Sequence, residues 1–317
     1  MIASVTLADI QGAERRIAGK VLRTPTLVDP QIAGLFLKQE YRQTTGAFKL
    51  RGATNAVLSL SSADLGRGVV TASTGNHGRA LAHAARAAGG RAVVCLSALV
   101  PSNKVQAIRD LGAEVRIIGQ SQDEAMLEVA RAVAQGMIEV PPFDHPAVIA
   151  GQGTLGLEIL ADSPAPAMVL IPLSGGGLAA GVATAIRALS PQTRLIGISM
   201  ERGAAMDASL RAGRPVDVTE LATLADSLGG GIGLQNRLTF NACRDLLDEV
   251  ILMSEDEIAA GMRHIHAVTG DAVEGAAAVG VAAVLAGKVQ ITGPTVAILS
   301  GRNVAAPRFA EVLAGRL

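Results

Sequence analysis

Lys49 is the residue whose surroundings in this sequence could support nucleophilic chemistry. It follows a turn of small residues, Thr45–Ala47, and Phe48, one of only five phenylalanines, and it stands at the start of a predicted helix. A lysine amine is a strong nucleophile only when deprotonated, and burial beside apolar groups lowers its pKa toward that state. Such an amine can form a Schiff base with an aldehyde. Taken alone, however, Lys49 is better interpreted as a solvated surface charge.

Three predicted strands end in short segments built from serine, glycine and a few polar residues. These segments are Ser73–Gly78, Ser174–Leu178 and Ser300–Asn303. In open α/β sheets, ligands bind at the carboxyl ends of strands, and small residues there let the backbone approach a ligand closely. We therefore look for the partners of Lys49 in these three segments.

The segment Ser174-Gly175-Gly176-Gly177-Leu178 is the best candidate for an anion site. A glycine loop that opens a helix presents several backbone N–H groups and the positive end of the helix dipole. The segment matches neither G-x-x-x-x-G-K-[ST] nor G-x-G-x-x-G, so nucleoside triphosphates and dinucleotides are not indicated. A plain tight turn is the alternative, but three successive glycines exceed what a turn needs.

The other two segments offer neutral hydrogen-bonding groups. The Asn76 amide could donate to a phenolic oxygen, and the Ser300 hydroxyl could pair with a ring nitrogen. Ser73, Asn76 and Ser300 could equally cap helices, and His77 could be a satisfied structural histidine. A nucleophilic lysine, an anion loop, an amide and a hydroxyl together are the set that pyridoxal phosphate requires.

Short apolar runs alternate with helical patterns, which favours an α/β fold with parallel strands. Strands are predicted at Gly68–Ala72, Arg91–Leu96, Glu114–Ile118, Met168–Leu173, Arg194–Met200 and Thr295–Leu299. Helices are predicted at His77–Ala88, Asn103–Leu111, Ser121–Ala134, Leu178–Leu189, Glu255–Val268 and Val273–Leu285. The 317 residues suffice for two domains. The break at Pro141–Pro146 predicts a small domain at 68–146 and a large one formed by 1–67 with 147–317.

The composition argues against several classes of partner. Formal net charge is zero, so neither nucleic acid nor an anionic membrane surface is indicated. Cys95 and Cys243 are the only cysteines and stand far apart, which argues against a disulfide framework or a cysteine metal site. No apolar stretch is long enough to span a membrane, and Met1–Ile10 lacks a signal-peptide pattern. We expect a cytoplasmic protein.

Four motifs, taken in order, resemble those of the serine/threonine dehydratase family of pyridoxal-phosphate enzymes. They are Ala47–Ala53 for S/A-F-K-x-R-G-A, Ser73–His77 for S-x-G-N-H, Gly151–Thr154 for G-Q-G-T and Ser174–Leu178 for S/G-G-G-G-L. The resemblance runs from Ile17 to Asn303. It implies fold type II of these enzymes, similar to the tryptophan synthase β subunit. This is an α/β fold of two domains, each with a mainly parallel, open twisted sheet flanked by helices.

The resemblance also implies a role for each matched residue. Lys49 would be the catalytic Schiff-base lysine, next to Phe48, while Asn76 and Ser300 would bind the 3′-oxygen and ring nitrogen of the cofactor. The residues implied to hold the phosphate are Ser174, Gly175, Gly176, Gly177 and Leu178. Those implied to receive the substrate carboxylate are Ser73, Thr74, Gly75, Asn76 and His77. Thr74 replaces a serine that in this family often acts as acid or base on the second face of the substrate, so it is the second catalytic candidate.

The resemblance further implies a homodimer, a small-molecule amino-acid substrate and a cation site. Some members bind Mg²⁺ or Ca²⁺ through a glutamate, a backbone carbonyl four residues on and an aspartate two further. Glu201, Ala205 and Asp207 keep that spacing, and oxygen ligands suit hard cations. Two solvated surface acids are the alternative interpretation.

The chain departs from the family pattern at Arg302 and Ser227, where glycine is usual, and both side chains are expected to reshape the substrate pocket. With Asp226–Gly233 and Ala272–Ala277, the chain most resembles the branch of hydroxyectoine-utilisation dehydratases. Because the sequence stops at Leu317 without the regulatory extension of the isoleucine-sensitive threonine dehydratases, we expect no response to that feedback.

The expected reaction is elimination of water from a β-hydroxy-α-amino acid, with release of a keto acid and ammonia. The α-nitrogen of hydroxyectoine is locked in a ring, so the expected substrate is a ring-opened derivative such as a hydroxylated acyl-diaminobutyrate. Dehydration of L-threonine, L-serine or 3-hydroxyaspartate, and amino-acid racemisation, remain alternatives. G-N-H in place of G-N-T disfavours β-replacement, Lys49 disfavours a non-catalytic cofactor-binding protein, and a Rossmann oxidoreductase would need the missing glycine fingerprint.

Overall fold

The computed structural model describes residues 5–73, 75–98, 100, 102–120, 122–163 and 165–316. Thr74, the second catalytic candidate, lies outside the described residues. The helices are α1 (Leu7–Ile17), α2 (Lys49–Leu58), α3 (Ser62–Arg67), α4 (Asn76–Ala87), α5 (Ser102–Asp110), α6 (Gln122–Ala134), α7 (Pro146–Asp162), α8 (Gly177–Leu189), α9 (Ala205–Ala212), α10 (Leu238–Leu246), α11 (Glu255–Thr269), α12 (Gly275–Leu285) and α13 (Ala306–Leu313). The strands are β1 (Thr26–Val28), β2 (Leu35–Lys38), β3 (Val69–Ala72), β4 (Ala92–Leu96), β5 (Glu114–Ile117), β6 (Ile138–Glu139), β7 (Met168–Pro172), β8 (Arg194–Met200), β9 (Glu249–Met253) and β10 (Thr295–Ile298).

The predicted strands and helices are confirmed, with bounds that differ by at most two residues. The longest element that the sequence did not predict is the 17-residue helix α7, which begins at the end of the predicted break. Pro146 occupies the first turn of that helix, where a missing N–H costs nothing, so the proline that indicates a break also starts a helix.

The larger sheet has the strand order β1-β2-β10-β7-β8-β9. Its neighbours run parallel except at the edge, where β1 pairs antiparallel with β2. Alternate residues enter two cores: Leu170 and Ile196 pack with α11 and α12, whereas Val169 and Leu195 pack with α8 and α10. Because both faces are covered, the central strands β7, β8 and β10 are mostly apolar.

The smaller sheet has the order β5-β4-β3-β6, with parallel pairing throughout. Val69 and Val94 pack with α2 and α4 on one face, and Val70 and Val93 pack with α6 on the other. The α/β class with two mainly parallel sheets is therefore confirmed. The small sheet lies within the predicted range 68–146, while the domain boundaries themselves stay a prediction.

The three segments with candidate ligand-binding residues follow the carboxyl ends of β3, β7 and β10. Ser73–Gly75 leads from β3 into α4, and Leu173–Gly176 leads from β7 into α8. The segment after β10 is joined to the turn before Lys49 by an isolated antiparallel bridge between Ala47 and Gly301. Within the described chain, no helix combines the length and apolar character needed to cross a membrane.

Candidate active site

Lys49 begins α2, and its amine lies in a packed environment. The side chain is partly buried, and Nζ donates a hydrogen bond to the carbonyl oxygen of Pro142 at 2.8 Å. Nζ also lies 5.2 Å from the centre of the Phe48 ring. Burial lowers the pKa of Lys49 to about 8, although the nearby Glu274 carboxylate favours the ammonium form. A solvated surface charge therefore does not describe Lys49, and a useful fraction of its amine is neutral near pH 8.

Pro142 accepts the Lys49 hydrogen bond, and the next residue, Phe143, contacts the glycine loop Gly175–Gly177. A Cβ added at Gly175 would overlap the Phe143 ring, and one added at Gly177 would lie 3.0 Å from Phe143 Cα. Gly176 has a φ of +85°, and a Cβ there would lie 2.8 Å from the Met206 methyl carbon. The loop therefore needs all three glycines, and it leads directly into α8, whose first-turn N–H groups are available to an anion.

Ser300 is buried at the end of β10, beside the backbone that carries Lys49. The Phe48 N–H donates to the Ser300 carbonyl oxygen at 3.0 Å. This hydrogen bond and the Ala47–Gly301 bridge bring the end of β10 against the start of α2. Phe48 and Ser300, two predicted site residues from opposite ends of the chain, are thus neighbours.

Asn76 begins α4, and both ends of its amide are engaged. Nδ2 lies 2.9 and 3.2 Å from the two carboxylate oxygens of Glu274, and Oδ1 accepts from Asn303 Nδ2 at 2.5 Å. Asn303 also donates to the Thr45 carbonyl oxygen at 3.1 Å and accepts from Arg79 Nη1 at 3.1 Å. The predicted amide therefore lies where the two sheets and the Lys49 turn meet.

His77 is buried and neutral. Nε2 donates to the Val140 carbonyl oxygen at 2.8 Å, and burial lowers the pKa of the imidazole to about 3. The side chain therefore brings no positive charge to a substrate carboxylate. The groups suited to that carboxylate are the N–H groups in the first turn of α4. One of them, the Gly78 N–H, donates to Ser73 Oγ at 3.3 Å.

Several buried polar atoms around the site lack a hydrogen-bond partner within the described residues. They are Thr45 Oγ1, His77 Nδ1, His145 Nδ1 and Gln152 Nε2. Buried polar groups normally have partners, so these atoms indicate that a polar ligand completes the site. A partly neutral lysine, a cradle that only glycine can form and a neutral serine at a strand end fit pyridoxal phosphate. Lys49 suits its aldehyde, the loop its phosphate and Ser300 its ring nitrogen.

A buried ionic network that the sequence did not reveal anchors the start of α2. Arg51 lies 2.7 Å from carboxylate oxygens of both Glu40 and Glu158. Lys38 lies 2.9 Å from both Glu158 and Asp162. The residues come from β2, α2, α7 and the turn after β2, so no local pattern links them. Among the members of this cluster, only Arg51 lies in one of the motifs identified from the sequence, Ala47–Ala53.

Of the predicted cation ligands, Glu201 directly follows β8, and Ala205 and Asp207 lie in the first turn of α9. Glu201 is exposed, with Oε1 4.0 Å from Lys288 Nζ, and Asp207 pairs with Arg211 at 2.9 Å. The described residues contain no group of three or more His, Cys, Asp and Glu side chains that could hold a metal ion. Two acids and the Ala205 carbonyl do not form such a group, so the cation site stays a prediction.

Known proteins resemble this chain over nearly its whole length. Residues 17–301 match the family model described as pyridoxal-phosphate dependent enzyme. The sequence is 55% identical to a Sinorhizobium fredii protein assigned as a threonine dehydratase, covering 99% of this chain and 97% of that protein. Threonine deaminase isoform 2 of Solanum lycopersicum superposes with a TM-score of 0.90 at 32% identity, covering 98% of this chain and 92% of that one. Maize serine racemase superposes with a TM-score of 0.92 at 31% identity, covering 99% and 98%.

Proposed function

Because the chain belongs to the family of pyridoxal-phosphate dependent enzymes, we propose that it eliminates water from a β-hydroxy-α-amino acid and releases a keto acid and ammonia. The chain is a lyase resembling threonine dehydratases and has the expected fold type II. The observation that carries the finer proposal is the partly neutral amine of Lys49, hydrogen-bonded to Pro142 next to the glycine loop.

The site supplies a base and a set of neutral hydrogen-bond donors. When bound, the cofactor stabilises the negative charge that develops at the substrate α-carbon. Lys49 accepts the α-proton, because burial keeps a fraction of its amine neutral. The first-turn N–H groups of α4 orient the carboxylate, and Ser300 offers a hydroxyl without adding a charge. Thr74 is proposed as the acid or base of the opposite substrate face.

Within this reaction class we propose a ring-opened hydroxyectoine derivative as the substrate. The support is the resemblance carried by Asp226–Gly233 and Ala272–Ala277. Both segments contribute to the surroundings of Asn76, because Glu274 contacts its amide and the Ser227 hydroxyl stabilises the charged form of Glu274. The other candidates are L-threonine, L-serine and 3-hydroxyaspartate. Initial rates of keto-acid release from the four compounds test the proposal, and a preference for L-threonine contradicts it.

Racemisation is the second candidate reaction, because the structure superposes closely with maize serine racemase. A racemase returns the proton to the opposite face of the α-carbon and retains the β-hydroxyl. Chiral chromatography of L-serine incubated with the holoenzyme distinguishes the reactions. D-serine formed faster than pyruvate would favour racemisation.

Attachment of the cofactor to Lys49 is expected to accelerate as the pH rises through about 8. Only the neutral amine attacks the aldehyde, and burial lowers the pKa of Lys49 to about 8. The measurement is the rate of absorbance change after apoprotein is mixed with pyridoxal phosphate at a series of pH values. A midpoint near 10.5, the ordinary value for lysine, contradicts the prediction.

Gly176→Ala is expected to weaken cofactor binding about tenfold, because the loop would relieve about 1–2 kcal/mol of strain at positive φ by a shift that bound cofactor must reverse. The added methyl group would also press on Met206 and Thr239, so the loop N–H groups must move. Absorbance titration of the apoprotein measures the dissociation constant. Gly213→Ala is the matched control, since Gly213 has a φ of +69° but open space around it, at the end of α9. Equal affinity of Gly176→Ala and the unaltered protein would exclude the loop as the phosphate cradle.

Three further proposals rest on the family resemblance. The first is an Mg²⁺ or Ca²⁺ ion bound by Glu201, the Ala205 carbonyl and Asp207, for which Asp207 would have to leave Arg211. Activity after chelation and after return of each cation tests it, and unchanged activity and melting temperature contradict it.

The second is a homodimer, tested by sedimentation, for which a monomeric mass is the contrary result. The third is a cytoplasmic location, which fractionation of the source cells tests.

A further inference from the structure

Glu274 stands at the start of α12 but does not cap that helix. Its backbone has the extended conformation of a capping residue, yet its side chain makes no hydrogen bond to the α12 N–H groups. At the corresponding position of α11, Ser254 accepts from the Glu257 N–H. A carboxylate at a helix start is normally stabilised by those N–H groups. The side chain of Glu274 is therefore committed to another partner.

That partner is Asn76 at the start of α4. Both oxygens of the buried Glu274 carboxylate lie within 3.2 Å of Asn76 Nδ2. Gly301 makes this approach feasible, because a Cβ at that position would overlap the carboxylate. The Glu274 N–H also donates to the Gly301 carbonyl oxygen at 3.1 Å. The end of β10 thus holds Glu274 directed at the helix that follows β3.

This contact determines which way the Asn76 amide faces. Nδ2 lies on the carboxylate, and Oδ1 accepts from Asn303 Nδ2 at 2.5 Å. If the amide were reversed, its oxygen would face a carboxylate and its nitrogen would face another donor. Only the observed orientation is attractive at both ends, and it directs the N–H side of Asn76 toward Glu274.

We propose that Glu274 is a positioning residue, whose ionised carboxylate orients the Asn76 amide for the cofactor. The inference rests on the proposed function, since Asn76 matters here as the cofactor-binding amide. Nδ2 carries two hydrogens, so one can remain on Glu274 while the other is offered to the cofactor. The hydrogen bond to an ionised acceptor is about twice as strong as one to a neutral acceptor.

The charge on Glu274 depends on pH in the physiological range. Burial raises its pKa to about 7, opposed by the Asn76 hydrogen bond. The charged groups that face it are Lys49 at the start of α2 and Arg79 on α4, which are attractive, and Asp226 after α9, which is repulsive. A raised carboxyl pKa gives stability that is lost as pH rises through about 7, so the ionised carboxylate makes the fold less stable. Glu274 thus supports positioning at a cost to stability.

The experiment compares Glu274→Gln with the unaltered protein in cofactor affinity and apoprotein melting temperature, both as functions of pH. Glutamine retains one acceptor but no charge, so we expect about tenfold weaker pyridoxal phosphate binding at pH 8. The affinity of the unaltered protein should fall below pH 7, and the variant should lose that inflection while keeping the one due to Lys49. The apoprotein of the variant should melt no lower than the unaltered apoprotein at pH 8. Glu274→Asp retains a titrating carboxyl, so its low-pH inflection should survive.

Glu249→Gln is the control, because Glu249 is an exposed carboxylate paired with Arg194. Affinity and pH dependence in Glu274→Gln equal to those of the unaltered protein would overturn the inference. So would weaker binding accompanied by a matching fall in apoprotein melting temperature, which indicates a merely structural role. Borohydride reduction and peptide mapping of the unaltered holoenzyme test the proposed function separately. Labelling at a lysine other than Lys49 would reject that function, whereas the difference between variant and unaltered protein decides the role of Glu274.

Discussion

Lys49→Ala is expected to lower kcat for water elimination by at least about 10³-fold, since general-base transfer alone contributes about 10²–10⁴-fold. The variant also loses the amine that can hold the cofactor covalently. Its fold should persist, because within the described residues the amine makes one hydrogen bond, to the Pro142 carbonyl oxygen, and lies over the Phe48 ring. Keto-acid release from the best substrate, measured with saturating pyridoxal phosphate, gives kcat.

Lys49→Arg is the matched control for this prediction. Arginine keeps the positive charge and a long side chain but does not deprotonate in proteins, so it should be as inactive as alanine. Activity in Lys49→Arg with none in Lys49→Ala would indicate that the charge, and not a neutral amine, is required. Activity in both would show that another residue is the base.

Arg51→Met is expected to lower the free energy of unfolding by about 3–5 kcal/mol, the usual cost of removing one partner from a buried ion pair. Glu40 is fully buried, and it would lose hydrogen bonds from Arg51 Nε and Nη2 at 2.7 and 2.8 Å. Glu158 would lose its contact at the same time. Denaturant unfolding, followed by circular dichroism, measures the change.

The pH dependence of the stability lost in Arg51→Met shows whether the charge on Glu40 causes the loss. Burial opposes the charge on Glu40, but attraction to Arg51, its hydrogen bonds from Arg51 and Thr24, and attraction to Lys38 together outweigh burial and lower the Glu40 pKa below its ordinary 4.5. A lowered carboxyl pKa gives stability that is present above 4.5 and lost as the pH falls through the folded-state value. The difference between Arg51→Met and the unaltered protein should therefore shrink in acid. Arg194→Met, which breaks the exposed pair with Glu249, should cost less than about 1 kcal/mol, and an equal cost for both variants would contradict the prediction.

The sequence predicts those parts of the site that follow from local pattern. Short apolar runs that alternate with helical patterns predict the strands. The polar segments that directly follow three of these strands are thereby placed at the carboxyl ends of the strands. Lys49, Gly175–Gly177 and Ser300 could therefore be assigned to one site before their contacts were known. The carboxyl ends of parallel strands share one edge of a sheet, which makes such an assignment physically justified.

Contacts between distant segments could not be predicted in this way. Glu274 lies 198 residues from Asn76, and at an apparent helix start it would be interpreted as an ordinary cap. Only the space left by Gly301 and the path of the backbone after β10 direct it across the site. The Arg51 network could not be predicted either, because no sequence pattern distinguishes Glu40 and Glu158 from surface acids. The packing of α7 on α2 brings Glu158 to Arg51. Tertiary packing, which local propensity does not encode, determined these contacts.

The pairing of β2 with β10 has a consequence for the order in which the molecule can be completed during synthesis. Leu35 pairs with Thr295, 260 residues later, whereas the small sheet uses a continuous stretch from Val69 to Glu139. A ribosome therefore delivers every strand of the small sheet before the large sheet can acquire its central strand. Until β10 emerges, β2 has only its antiparallel partner β1, and Ser300 and Gly301 have not yet been made. The contacts of Ser300 and Gly301 with Ala47 and Phe48 can therefore form only after β10 has been synthesised.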